Sequence, residues 1–65
     1  MAVFKIYKDT RGHYRWRLMA NNNKIIADSG EGYVKWEGAV DGINFVKKYA
    51  PSAKIVDLTK IYIRR

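Results

Sequence analysis

Apolar and polar residues alternate in two runs near the start of the chain. The runs at residues 4–7 and 14–18 each place Phe, Ile, Tyr, Trp or Leu at every second position, with Lys or Arg among the positions between. Because alternate side chains of a strand point to opposite faces, these runs predict two strands with one apolar and one basic face. Residues 9–12 join them, and Gly12 can adopt the positive φ of a bulged hairpin turn. The pattern predicts a β-hairpin.

The pattern continues with a third strand and then a helix. Three asparagines at residues 21–23 indicate a turn, the short β-branched run at 24–28 predicts a strand, and residues 29–32 end it. From about Val34 to Ala50 apolar residues recur at three- and four-residue spacing, which is typical of one helical face. Pro51 ends this helix, because the residue before a proline is disfavoured in helical conformation.

The last part of the chain again has the composition of a strand. We expect it at residues 53–59. Apolar and basic residues alternate over 60–64, so the strand either ends at Thr59 or extends to Arg64. The predicted fold is an α+β unit of order β-β-β-α-β, with one helix on an antiparallel sheet. It forms a single domain over residues 1–65, with its core in 3–59 and a tail or strand extension at 60–65. The predicted core residues are Phe4, Ile6, Tyr14, Trp16, Leu18, Trp36, Val40, Ile43 and Val46.

Composition limits how such a chain can be stabilised. With 65 residues and no cysteine, it has a small core and no disulfide, so aromatic burial, a partner subunit or both must hold it together. Thirteen Lys and Arg against six Asp and Glu leave a net charge of +7, which favours attraction to polyanions or serves solubility alone. No apolar run is long enough to cross a membrane and no signal peptide opens the chain, so we expect a cytoplasmic protein.

The residues that could carry chemistry do not form a catalytic or metal-binding pattern. His13 and Asp9 flank the hairpin turn, which explains both without a catalytic role. Ser29 lacks the surroundings of a nucleophile, and Gly30-Glu31-Gly32 lacks the remaining residues of a phosphate-binding loop. A single histidine without cysteine offers no zinc site. We expect no enzyme activity, no cofactor and no metal.

One face of the predicted sheet has the composition of a nucleic-acid platform. Single-stranded nucleic acids bind to basic residues that contact phosphates and to aromatic rings that stack on bases. An alternative is that the charges keep an exposed face soluble or pair with carboxylates across strands. The candidate residues are Lys5, Tyr7, Arg15, Arg17, Lys60, Tyr62 and Arg64.

A second candidate surface lies on the helix. Gly38, Gly42, Phe45 and Tyr49 fall on one side of the helical wheel, away from Ile43. Glycine costs a helix interior about 1 kcal/mol relative to alanine, so two glycines call for a reason such as close approach of another backbone. We interpret the four as a protein-contact strip; the alternative is a surface aromatic beside tolerated glycines.

Short motifs spread over the chain resemble the YegP-like family, a domain of unknown function. The resemblance covers about residues 3–59 and implies β-β-β-α-β units that pair into one continuous sheet and exchange their C-terminal strands. It therefore implies a homodimer here, and it implies no catalytic or ligand-binding residue. The motifs are Tyr7-Lys8-Asp9, Gly12, Tyr14-Arg15-Trp16-Arg17-Leu18, Gly30-Glu31-Gly32-Tyr33, Gly42-Ile43, Val46-Lys47-Lys48 and Ala50-Pro51.

Together these observations predict a small, non-catalytic, homodimeric structural or interaction module. The alternative is a nucleic-acid-binding protein that uses the basic and aromatic face of the sheet. Another protein partner, docking on the helix strip or a sheet edge, is a further possibility. No membrane role is expected, because acidic residues such as Glu37 and Asp41 interrupt the basic face of the helix.

Overall fold

The computed structural model describes residues 1–59, in which a three-stranded sheet is followed by one helix. The strands are antiparallel and lie in the order β1-β2-β3, and the helix packs on β2. This confirms the predicted α+β class with three antiparallel strands and a helix. The elements are β1 (Val3–Lys8), β2 (Tyr14–Met19), β3 (Ile25–Asp28), α1 (Trp36–Tyr49) and a final 3-10 turn (Ala50–Ser52).

The predicted hairpin is formed by β1 and β2. Phe4 lies opposite Leu18 and Ile6 lies opposite Trp16, so the apolar residues of both strands share one face. The Phe4 and Trp16 rings meet edge to face with their centroids 5.4 Å apart, a favourable arrangement for two aromatic rings. Gly12 has φ of 81°, which is the left-handed conformation that the hairpin turn requires.

The asparagine turn between β2 and β3 is also formed. Asn23 adopts a positive φ of 64°, and the Asn22 side chain accepts a hydrogen bond from the backbone N–H of Lys24 at 3.2 Å. Both are conformations and contacts that asparagine favours in turns. The pairing of β2 with β3 is interrupted by a shift of register between Leu18 and Met19.

The helix begins two residues later than the sequence pattern predicts. The backbone of Tyr33 pairs with that of Tyr14 through two hydrogen bonds of 2.8 Å, which extend the sheet by one isolated bridge. This pairing keeps the chain extended, and Lys35 still has φ of −114° and ψ of 148°, so Trp36 is the first helical residue. The helix then ends before Pro51, as predicted.

The core of the single chain is small. Within residues 1–59 only Trp16 and Ala39 are buried hydrophobic residues, at 6% and 0% exposure. Seven other predicted core residues are partly buried: Phe4, Ile6, Tyr14, Leu18, Val40, Ile43 and Val46. Trp36 is 51% exposed, so its assignment to the core is wrong for the single chain. Ala39 is buried and Gly42 lies beside Trp16 of the sheet, whereas Trp36 is the first residue of the helix.

The predicted fourth strand is absent from the described chain. Residues 53–59, which we call the C-terminal arm, form no ladder with β1 or β3. The side chains of Ile55, Val56 and Leu58 are 92%, 68% and 78% exposed. A strand needs a neighbour to satisfy its backbone N–H and C=O groups, and the arm has none within residues 1–59. The possible extension of this strand through 60–64 lies outside the described residues.

Candidate functional site

Asp9 organises the turn of the hairpin. Its Oδ1 accepts the backbone N–H groups of Arg11 and His13 at 2.9 and 3.0 Å, and its Oδ2 accepts Nε–H of Arg15 at 2.6 Å. The bond from Arg15, followed by that from the His13 backbone, lowers the pKa of Asp9 to about 2. The same bond raises the pKa of Arg15. Asp9 is therefore an ionised carboxylate whose two oxygens both accept hydrogen bonds, and it orients the side chain of Arg15.

The glycine-rich loop before the helix packs on this turn. A Cβ at Gly32 would lie 2.7 Å from Cβ of His13 and 3.2 Å from Oδ2 of Asp9. Such a contact leaves no room for a side chain at Gly32, and it places a carboxylate beside the loop. Gly30-Glu31-Gly32 therefore serves the packing of the loop on the hairpin turn.

The open face of the hairpin brings four of the predicted nucleic-acid-binding residues together. Lys5 lies directly opposite Arg17, and Tyr7 lies directly opposite Arg15, in alternate pairs of one ladder with the pair Ile6–Trp16 between them. These side chains share the face that points away from Phe4 and Trp16. The Arg17 guanidinium carbon lies 4.4 Å from the centroid of the Tyr7 ring, which is a cation–π distance. The other three predicted residues, Lys60, Tyr62 and Arg64, lie outside the described residues.

A shallow depression runs from this face to the hairpin turn. It adds four residues that the strand alternation did not single out, because three of them belong to the turn and Lys8 is the last residue of β1. The Lys8 ammonium lies 5.0 Å from the Tyr14 ring, and Asp28 of β3 lies opposite Arg17. The charged residues of the turn, which lies between two strands with basic residues, were the sequence signal that could have indicated this depression. It is lined by Tyr7, Lys8, Asp9, Thr10, Arg11, Arg15 and Arg17.

The predicted contact strip on the helix has two different halves. A Cβ at Gly38 would lie 3.2 Å from Cδ1 of Tyr33, and one at Gly42 would lie 2.7 Å from Oη of the same tyrosine. The two glycines thus accommodate a ring of their own chain. In the C-terminal half, Phe45 and Tyr49 are 64% and 47% exposed, with ring centroids 4.6 Å apart. This exposed pair, Phe45 and Tyr49, is the part of the strip that remains accessible to a partner.

Chemistry that needs clustered ligands has no matching arrangement in the described part of the chain. Residues 1–59 contain no group of three or more His, Cys, Asp or Glu side chains placed to hold a metal ion. No helix in the same range is long and apolar enough to cross a membrane. The candidate functional surfaces are therefore the basic hairpin face, the Phe45–Tyr49 pair and the C-terminal arm.

These features define a class of small α+β units with a three-stranded antiparallel sheet and one helix. Residues 9–57 match the family described as domain of unknown function DUF1508, and the chain belongs to this family. It is the same family as the YegP-like proteins that the sequence motifs resemble.

Individual relatives agree with this assignment. A UPF0339 protein of Methanosarcina acetivorans is 48% identical over 58 residues, which are 89% of this chain and 98% of that relative. A UPF0339 protein of Stutzerimonas stutzeri is 48% identical over 50 residues, which are 77% of this chain but 44% of that relative. A solution NMR structure of a protein from Haloferax volcanii matches 86% of this chain and 93% of its own, at 45% identity and a TM-score of 0.83. The family description assigns no activity.

Proposed function

We propose that the chain is a small, non-catalytic interaction module that works as a homodimer, in which each copy places its C-terminal arm on the sheet of the other. The observation that carries this proposal is the exposure of Ile55, Val56 and Leu58 on a segment that joins no ladder of the sheet described within residues 1–59. Burying a side chain of this kind contributes about 1.5–3 kcal/mol. A chain with two buried hydrophobic residues among the 59 described gains much from such burial.

The sheet supplies places for the arm to bind. In the order β1-β2-β3, both outer strands have one edge without a neighbour in the described chain. Exposed edges invite pairing with another chain, and a strand from a second copy satisfies them without open-ended growth. Two copies that exchange arms reciprocally form a closed assembly.

A comparison of lengths also supports pairing. The matched segment makes up 44% of the Stutzerimonas stutzeri relative. That relative is long enough to contain two units of this size in one chain, whereas two separate copies would do the same here. The cytoplasmic location expected from the sequence stays a prediction.

Truncation separates the arm from the residues after it. We expect the full chain to sediment as a dimer at micromolar concentrations, a chain ending at Thr59 to remain dimeric, and a chain ending at Ser52 to become monomeric. A mass of one chain for the full protein contradicts the dimer. A dimer that survives truncation at Ser52 contradicts the role of the arm.

Point substitutions within the arm provide matched controls. In an extended strand Val56 and Leu58 share one side. We expect Val56→Ser with Leu58→Ser to dissociate the dimer and Lys54→Ser, which removes no apolar side chain, to leave it intact. In a mixture of isotope-labelled and unlabelled chains, nuclear Overhauser effects from Val56 methyl groups to β1 or β3 of the other copy would demonstrate exchange. Contacts only within one chain would refute it.

We infer nucleic-acid binding as a second candidate function. The specific observation in its favour is that Tyr7, Arg15 and Arg17 line one depression on the open face of the hairpin. A random single-stranded oligonucleotide should bind at low salt and be released as salt rises, because neutralised phosphates release counterions. If no binding occurs at low salt, the basic face is a solvated surface and this candidate fails.

A further inference from the structure

We propose that the open hairpin face binds single-stranded nucleic acid through a two-part site, in which Asp9-held Arg15 contacts a phosphate and the Arg17–Tyr7 pair receives a base. This inference rests on the second candidate function above. It adds the role of each residue and the reason why a single strand should bind better than a duplex.

The phosphate part of the site is an arginine that is already oriented. Arg15 donates Nε–H to Oδ2 of Asp9 at 2.6 Å, and two backbone N–H groups hold the other oxygen of that carboxylate. Guanidinium has five N–H donors in a rigid plane, so a bond from Nε leaves the two terminal amino groups for another acceptor. Within residues 1–59 Arg15 makes no other ion pair. The side chain of Arg15 is 33% exposed, which leaves those groups accessible from the depression.

The base part of the site is the stack of Arg17 on Tyr7. The guanidinium covers one face of the ring at 4.4 Å, and Arg17 itself is exposed. Arginine guanidinium planes and aromatic rings are the surfaces on which proteins stack unpaired bases. Stacking of this kind requires a base that is free to leave its own helix. The expected ligand is therefore a single strand, and a duplex should bind more weakly.

The charges around the site favour a polyanion. Lys5 and Arg11 add to the two arginines, against the carboxylates of Asp9 and Asp28. Asp28 lies opposite Arg17 in the ladder, but the two form no ion pair in the described chain. Asp9 is engaged by Arg15, so its charge is partly compensated. A phosphate approaching the depression meets a net positive surface.

Asp9→Asn is the most informative substitution because geometry and charge predict opposite results. Asparagine retains the oxygen that accepts the two backbone N–H groups, so the turn is expected to keep its shape. The variant gains one positive charge, and it loses the carboxylate that orients Arg15. We expect it to bind a labelled oligouridylate more weakly in fluorescence anisotropy. Tighter binding would show that net charge alone acts and would overturn the proposal.

Substitutions that conserve charge test the stacking part. We expect Tyr7→Leu and Arg17→Lys each to weaken binding of the oligouridylate on the order of tenfold, since stacking of one base is worth a factor of that size. An abasic strand of the same length should bind all three proteins equally. Lys35→Ala, on the loop before the helix, is the control and should change the affinity little. A nuclear magnetic resonance spectrum of each variant checks that the fold is kept.

The salt dependence separates this proposal from the broader candidate. Arg15→Ala should reduce the slope of log K against log salt by about 0.7, the value for one phosphate contact of a single strand. If the protein binds the strand but Tyr7, Arg15 and Arg17 variants match the Lys35→Ala control, binding occurs elsewhere and only the two-part site fails. If the wild-type protein does not bind at low salt, both the site and the second candidate function fail.

Discussion

The contact between Gly42 and Tyr33 allows a prediction whose sign depends on the tertiary structure. Replacing an exposed helical glycine by alanine normally stabilises a protein by about 1 kcal/mol, because alanine restricts the unfolded chain and favours the helix. A Cβ at Gly42, however, would lie 2.7 Å from Oη of Tyr33 and 3.2 Å from Nε1 of Trp16. The distance of 2.7 Å is too short for a carbon and an oxygen, so either the helix at residue 42 or the side chain of Tyr33 must move.

Tyr33 is poorly placed to move. Its backbone forms two hydrogen bonds of 2.8 Å with Tyr14, and its ring also lies against Gly38. Overpacking in such surroundings costs about 1–3 kcal/mol. Taking about 2 kcal/mol for the clash and subtracting the helix gain, we expect Gly42→Ala to lower the free energy of unfolding by about 1 kcal/mol. For a chain of this size that corresponds to a melting temperature lower by about 4–8 °C.

Gly38 provides the matched control on the same helix face. A Cβ there would lie 3.2 Å from Cδ1 of Tyr33, so the ring has to give by only a few tenths of an ångström, much less than the 2.7 Å contact at Gly42 demands. We expect Gly38→Ala to be neutral or slightly stabilising. In a Tyr33→Phe background the hydroxyl is gone, and Gly42→Ala should cost less than it does beside tyrosine.

Urea and thermal unfolding, followed by circular dichroism at one protein concentration, measure all four variants. A fixed concentration is needed because a dimer has a concentration-dependent stability. If Gly42→Ala stabilises the protein as much as Gly38→Ala does, the clash with Tyr33 has no energetic weight and the reasoning is refuted.

Three further predictions concern the turn, the pH dependence and the aromatic pair. The pKa of Asp9 in the folded protein is about 2, below its ordinary 3.8. The ionised Asp9 therefore contributes fully to the stability of the fold above about pH 4, and this contribution is lost as the pH falls towards 2. Unfolding midpoints measured across this range should fall less for Asp9→Asn than for the wild type, and equal slopes of midpoint against pH would contradict the low pKa of Asp9. Gly12→Ala should cost about 1–2 kcal/mol, because φ of 81° is strained for alanine although its Cβ would contact nothing within 4 Å; a neutral result in urea unfolding would contradict this. Phe45→Ser with Tyr49→Ser should leave the helix content unchanged and weaken the proposed dimer in sedimentation, with Asn44→Ser as the control; an unchanged dimer would exclude the pair from the interface.

Features of the fold that arise from a few neighbouring residues could be predicted from the sequence. The hairpin, the asparagine turn and the end of the helix at Pro51 follow from alternation, turn residues and proline, which act over a few neighbouring positions. That Lys5, Tyr7, Arg15 and Arg17 share one face follows in the same way, because a strand's alternation determines which side chains lie on the same side. Arg11 and Thr10, which line the same depression, were missed because they belong to the turn.

Other features depend on contacts between distant parts of the chain. The pairing of Tyr33 with Tyr14 delays the start of the helix. The ring of Tyr33 lies so close to the helix that it explains why glycine occupies positions 38 and 42. The role of Asp9 in holding Arg15 also requires both ends of the hairpin turn to be in place. None of these partners can be read from a periodic pattern, because periodicity records which side of an element is apolar and not what covers it.

The C-terminal arm shows this distinction most clearly. The sequence by itself determined that residues 53–59 have the apolar, β-branched composition of a strand, since that preference is a property of the segment. Whether the segment becomes a strand depends on a neighbouring edge that supplies backbone hydrogen bonds, and in the described chain no such edge pairs with it. Strand propensity is local, whereas strand pairing is a tertiary or quaternary contact. Only the structure could show that Ile55, Val56 and Leu58 are exposed in the described chain.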